Sequence, residues 1–133
     1  MIESMEKQVI MVKKNKIKKK IFCFDIDNTI CKTSGSNYEK SLPIKKNINL
    51  INKLQKEGHY IKIFTSRYMG RTKSNVKKAK KIGYIKTLNQ LKKWGLVFDD
   101  LIMGKPRFDI YIDDKNFDFK SNWADLINKI YLK

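Results

Sequence analysis

The sequence predicts an α/β fold, a Rossmann-like, doubly wound, mostly parallel sheet flanked by helices. Two observations carry this. Short apolar runs, "KIFCFDI", "YIKIFT", "DLIMG" and "FDIYI", are separated by stretches with helical spacing of apolar residues. That alternation implies parallel strands joined by helical crossovers, with helices on both faces. Each run also has a polar or charged residue at or just past its end, as strands do where a sheet's carboxyl edge binds ligands.

The elements follow in order. Residues 20–26 form the first strand, a near-continuous apolar run typical of a buried parallel strand. A polar loop, "CKTSGSNYEKSLP", follows. Pro43 opens a helix with Ile44, Ile48, Ile51 and Leu54 on one side and Gly58 at its end. His59, the single histidine, sits in the turn before the strand at 60–65 and reads as a turn residue rather than a catalytic base. Val76, Ala79 and Ile82 mark a short basic helix that stops at Gly83. Thr87 and Gln90 form a capping box for another helix, carrying Leu88, Leu91 and Trp94 and ending at Gly95. Strands follow at about 99–103 and at 108–112, the second running into Asp113 and Asp114. Ser121 caps a last helix with Trp123, Leu126, Ile127 and Ile130 on its inner side.

Length and composition set bounds. At 133 residues and 41% hydrophobic, the chain suits one domain, at 20–133, behind a basic tail at 1–19. No apolar run is long enough to span a membrane, and the N-terminus lacks a signal peptide's apolar centre. With Cys23 and Cys31 as its two cysteines, the chain reads as reduced and cytoplasmic. The net charge of +17 suggests nucleic acid, yet only Arg67, Arg71 and Arg107 among 30 basic residues are arginines. Base reading and phosphate forks favour arginine. Nucleic acid therefore stays open as a partner without being favoured, and the charge reads mainly as solvated surface.

The expected fold gathers Asp25, Asp27, Thr65, Lys105, Asp113 and Asp114 along one edge of the sheet. Four carboxylates in one small volume repel one another. A hard divalent cation resolves the conflict, and magnesium takes one or two carboxylates together with a substrate phosphate. Thr65 offers a hydroxyl and Lys105 a compact cation, both suited to phosphate oxygens. The set reads as phosphoryl transfer with a metal as charge clamp.

These residues resemble the four motifs of the haloacid dehalogenase superfamily. "DIDNT" at 25–29 is similar to its nucleophile motif, "IFTSR" at 63–67 to its second, "GKP" at 104–106 to its lysine motif and "IYIDD" at 110–114 to its acidic metal motif. The pattern is most similar to small members found near capsule and surface-polysaccharide genes. The resemblance implies a Mg2+-dependent phosphatase acting through an aspartyl-phosphate on a phosphorylated small molecule, a sugar phosphate or surface-polysaccharide precursor. It implies Asp25 as nucleophile and metal ligand, and Asp27 as general acid/base with its backbone carbonyl on the metal. Thr65 and Ser66 would meet the substrate, Arg67 would either join them or form a surface ion pair, Lys105 would neutralise the nucleophile, and Asp113 would bind magnesium with Asp114 beside it as a second ligand or as a cap for the final segment. Dehalogenation is disfavoured by the second aspartate.

Family cap domains are inserted after the first motif or between the second and third. Each of the two intervals, Asp25 to Thr65 and Thr65 to Lys105, spans 40 residues, mostly used by core elements. Only residues 31–42 are free, enough for a flap. The domain is therefore expected to be capless, borrowing a lid from its substrate, a partner or a second copy in a homo-oligomer. The in-class alternative is a nucleic-acid end phosphatase. The alternative of another class is a non-catalytic basic binding module on the same fold.

Overall fold

The computed structural model describes residues 18–132. The tail expected at 1–19 lies outside the described residues except for its last two positions. The described residues form five strands and three α-helices: β1 (Ile21–Phe24), β2 (Cys31–Lys32), β3 (Leu42–Pro43), α1 (Lys45–Lys56), β4 (Tyr60–Thr65), α2 (Val76–Lys93), β5 (Asp100–Met103) and α3 (Trp123–Tyr131). β1, β4 and β5 make a parallel sheet with β4 in the centre. β2 and β3 pair antiparallel and close the flap expected at 31–42 into a small ribbon.

Period-two alternation explains β4. Ile61, Ile63 and Thr65 are buried, whereas Tyr60, Lys62 and Phe64 are not. Register carries the same row across the sheet: Phe24 lies beside Ile63, which lies beside Leu101. Against this row α1 presents Ile48, Ile51 and Leu54, α2 presents Leu91, and α3 presents Trp123 and Ile127. Each fully buried Ile or Leu contributes about 1.5–3 kcal/mol.

The sheet is parallel, α/β and flanked by helices, but cover on its second face is not formed by the described residues. Both crossovers step the same way, from β1 to β4 to β5. Right-handed crossovers stepping one way place their helices on one face. The opposite row, which includes Ile21, Cys23, Tyr60 and Ile102, remains exposed. Among the described residues β1 is an edge strand rather than the buried strand expected, and Ile21 is 70% exposed.

Three further expectations are corrected. A single helix, α2, runs through Gly83 and Thr87 without a break. Gly83 is a point of close approach, since a Cβ there would collide with the Tyr68 ring. Thr87 is buried inside the helix and caps nothing. The strand expected at 108–112 does not form: the segment pairs with nothing among the described residues, and Ile110 and Ile112 are 79% and 91% exposed. A strand needs a neighbour for its ladder, and β propensity alone cannot supply one. In α3, Trp123 and Ile127 face inward as expected, but Ile130 is exposed and the N-cap position is Asn122.

His59 is buried after α1, where its Nδ1 accepts the Lys20 N–H at 3.0 Å and its ring meets Phe22 edge-on. Burial, followed by the Lys19 charge, pushes its pKa below the ordinary 6.5. The unfolded chain therefore binds the proton more tightly than the folded one, and His59 stabilises the fold fully only above pH 6.5. The melting advantage of the wild type over His59→Asn is expected to shrink as pH falls from about 7 to 5. A constant difference across that range in thermal melts would contradict this account.

Candidate active site

The carboxyl ends of β1, β4 and β5 bring Asp25, Asp27, Thr65, Ser66 and Lys105 together. Asp25 follows directly on β1 and keeps 34% of its side chain exposed. The Lys105 ammonium stands 3.7 Å from its Oδ1. Lys105 is placed by main chain: its N–H donates to the Thr65 carbonyl at 3.1 Å, extending the β4–β5 pairing. The intervening Gly104 has φ +95°, and a Cβ there would press on Val76. Burial lifts the Asp25 carboxyl above its ordinary range, against the pull of Lys105.

A tight turn separates the two aspartates. The Ile26 carbonyl accepts from Thr29 and Ile30 N–H groups at 3.1 and 2.8 Å, and Asn28 takes φ +62°. Asp27 is thereby directed at Arg67. Its carboxylate accepts from Arg67 Nε at 3.0 Å and Nη2 at 2.8 Å, and from the Thr33 hydroxyl at 2.6 Å. Thr33 in turn meets the buried Ser41 hydroxyl at 2.6 Å, tying Asp27 to the flap.

Arg67, expected at the substrate, is 2% exposed. Beyond Asp27, its Nη1 donates to Gln90 Oε1 at 2.6 Å and its guanidinium lies over the Tyr38 ring at 5.0 Å. Gln90 Nε2 donates to the Tyr38 carbonyl at 2.8 Å, so α2 and the flap are latched through one side chain. Gln90 and Tyr38 were not singled out for the site by sequence reasoning. Gln90 was read as a capping residue, and only a contact 52 residues away in the chain reveals its position. Thr65 is fully buried, with its hydroxyl accepting the Arg67 N–H at 3.1 Å, and Ser66 is half-buried beside it.

Asp113 and Asp114 stand apart. Both are exposed, and Asp113 organises a local turn: it accepts from the Lys115 N–H at 3.1 Å and the Tyr111 hydroxyl at 3.0 Å. These contacts hold its carboxyl below the ordinary range. Among the described residues no cluster of three or more acidic, histidine or cysteine side chains forms a metal site. The expected gathering of four carboxylates is thus corrected to a pair, because the strand that was to deliver the other two is unpaired. For magnesium the fit is partial. Asp25 offers an accessible carboxylate whose charged form burial disfavours, which a cation would offset, while the Asp27 carboxylate is already engaged by Arg67 and Thr33.

A family model described as haloacid dehalogenase-like hydrolase matches residues 22–91, from within β1 to within α2. A solved structure from Vibrio cholerae is similar at 27% identity and a TM-score of 0.70, covering 86% of this chain and 97% of that one. No curated protein matches. No helix among the described residues is long and apolar enough to cross a membrane.

Proposed function

Because the chain belongs to the haloacid dehalogenase-like hydrolases, we propose that it is a magnesium-dependent phosphatase working through an aspartyl-phosphate. The observation that carries this reading is the Asp25 carboxylate, one-third exposed at a strand end with the Lys105 ammonium beside it. In the first step an Asp25 oxygen bonds to phosphorus while the bond to the leaving oxygen breaks, and Asp27, which enters the cycle protonated, gives that oxygen its proton. In the second, Asp27 takes a proton from water as the water oxygen bonds to phosphorus. The Asp25–phosphorus bond then breaks and phosphate leaves. Arg67 and Thr33 fix the Asp27 carboxyl for both transfers, and Lys105 offsets charge on Asp25 and the phosphoryl oxygens. Magnesium, held by Asp25 together with phosphate oxygens and water, would neutralise charge on the phosphoryl group.

The substrate class favoured by resemblance is a sugar phosphate or related surface-polysaccharide precursor. A second reading, a nucleic-acid end phosphatase, draws on α2, which carries Lys77, Lys78, Lys80, Lys81, Lys86, Lys92 and Lys93 and no acidic residue. One experiment separates them. Phosphate release is measured with magnesium on sugar phosphates and on 3′-phosphorylated oligonucleotides, from 50 to 200 mM salt. The expected result is turnover of sugar phosphates with a shallow salt dependence, stopped by chelator and restored by magnesium. An oligonucleotide substrate bound through about six phosphates would instead lose about 10³-fold in affinity across that range. That slope, with sugar phosphates inert, would install the second reading. Full activity in excess chelator would remove the metal from either.

A further inference from the structure

A cleft opens beside Lys105, between the loop that follows β4 and the segment that follows β5. Its volume is about 360 Å³, and it carries Gly70, Lys73 and Ser74 on one side and Arg107, Phe108 and Asp109 on the other. That volume suits one sugar-sized group. Phe108 joins the cleft to the candidate site. The Lys105 ammonium stands 5.4 Å from the centre of the Phe108 ring and 3.7 Å from Asp25 Oδ1. With phosphorus at Asp25, the far end of a leaving group of this size lies within reach of the cleft.

Two cations line this cleft without a partner. Among the described residues neither Lys73 nor Arg107 forms an ion pair. Arg71, on the same loop, is spent on the flap: its Nη2 donates to the Ser36 carbonyl at 3.2 Å, and its guanidinium lies over the Tyr68 ring at 4.7 Å. The unpaired cations are held in place rather than trailing in solvent. The Arg107 guanidinium rests on Gly70, where a Cβ would collide with it. Lys73 and Ser74 take φ +54° and +62°, and Tyr68 takes +67°. Left-handed backbone is costly for residues with a side chain and persists where the surroundings enforce it, as at ligand clamps. Here the Ser74 N–H donates to the Met69 carbonyl at 2.7 Å and the Thr72 hydroxyl to the Tyr68 carbonyl at 2.7 Å. Lys73 therefore projects from a fixed turn, which lowers the ordering cost of binding.

We propose that this cleft is a second anion subsite, which selects phosphomonoesters whose leaving group bears another anionic group, a phosphate or a carboxylate. Arg107 and Lys73 bind that anion, and the Ser74 hydroxyl donates to it. The guanidinium fork matches the paired oxygens of either group. The Asp109 carboxylate, on the same wall, accepts from hydroxyls of the leaving group. A neutral leaving group would leave both cations without a counter-charge. Substrate selection rests on the phosphatase reading. Anion binding in the cleft does not.

The test has two arms. In the first, kcat and KM are measured with magnesium on glucose 6-phosphate, glucose 1,6-bisphosphate and 6-phosphogluconate. The wild type should favour at least one doubly anionic ester by about tenfold or more in kcat/KM, the scale of one charge-assisted bond. The bisphosphate being favoured assigns a phosphate to the cleft, and 6-phosphogluconate a carboxylate. Arg107→Met should erase most of that preference through KM, and Arg107→Lys should keep part of it. Gly70→Ala keeps the charge but displaces the guanidinium, so it should lower the preference with the melting temperature level. Lys56→Met, an equal loss of charge at the end of α1, should leave the preference in place. In the second arm, calorimetric titration of Asp25→Asn with the same three esters reads binding without turnover. The favoured ester should bind about tenfold tighter than glucose 6-phosphate, and adding Arg107→Met should remove the difference. Equal binding of all three esters, or a preference that survives Arg107→Met, overturns the subsite. A wild type inert on every phosphoester sinks the phosphatase reading, while the titration still decides the subsite.

Discussion

Asp25→Asn is expected to fold normally and to lose at least about 10³-fold in phosphate release, the scale of loss when a covalent nucleophile is removed. An amide cannot attack phosphorus, and its volume matches the carboxyl it replaces. The fold does not depend on this charge. Burial raises the Asp25 carboxyl above its ordinary range, so ionised Asp25 costs stability near neutral pH and a neutral side chain leaves the melting temperature level or slightly higher. Steady-state release from the best substrate, with thermal melts alongside, checks both halves. Retention of more than about a few per cent of wild-type turnover would remove Asp25 as nucleophile.

Arg67→Met is expected to carry the largest stability effect. Removing one member of a buried ion pair costs about 3–5 kcal/mol, because the other is left unpaired. Asp27 remains 20% exposed, so water recovers part of this and the lower end, about 3 kcal/mol, applies. For a chain of this size that lowers the melting temperature by about 10 °C. Turnover falls too, since Asp27 loses the fork that directs it and Gln90 loses its partner across from the flap. The double variant Arg67→Met with Asp27→Asn should regain part of the lost stability. Urea midpoints of the four species make the cycle. A single-variant loss below about 1 kcal/mol would mean the pair is not buried in the sense argued.

The parts of this molecule legible in its sequence are those set by neighbours along the chain. β4 matches "YIKIFT" residue for residue because alternation is a local pattern. Asp25, Asp27 and Lys105 converge as expected because each sits at the end of a run whose direction the crossover rule fixes. What failed to show depends on distant residues. Gly83 reads as a helix stop until Tyr68, fifteen positions earlier, is found against it. Arg67 reads as a substrate ligand or a member of a surface ion pair because a basic residue past a strand end usually faces solvent. Its burial depends on Asp27, Tyr38 and Gln90, up to forty residues away. The run at 108–112 has the composition of a strand, but pairing belongs to two segments at once, and the second lies outside anything a single run encodes.

The sheet's register also bears on how the chain acquires its fold. Ile21 pairs with Tyr60 and Lys62 with Asp100, so each ladder joins residues nearly forty apart with a helix in between. High contact order of this kind slows folding, because chain closure must come before any ladder forms. During synthesis β1 emerges first and waits for β4, and the first ladder gains its second only once residue 103 is out. α1 can form in that interval from local contacts alone, and its Ile48, Ile51 and Leu54 face is the first apolar surface on which the waiting strand can collapse. The order of assembly is therefore helix before sheet, with the candidate site's edge formed once Lys105 is out and α3 docking on the core after it.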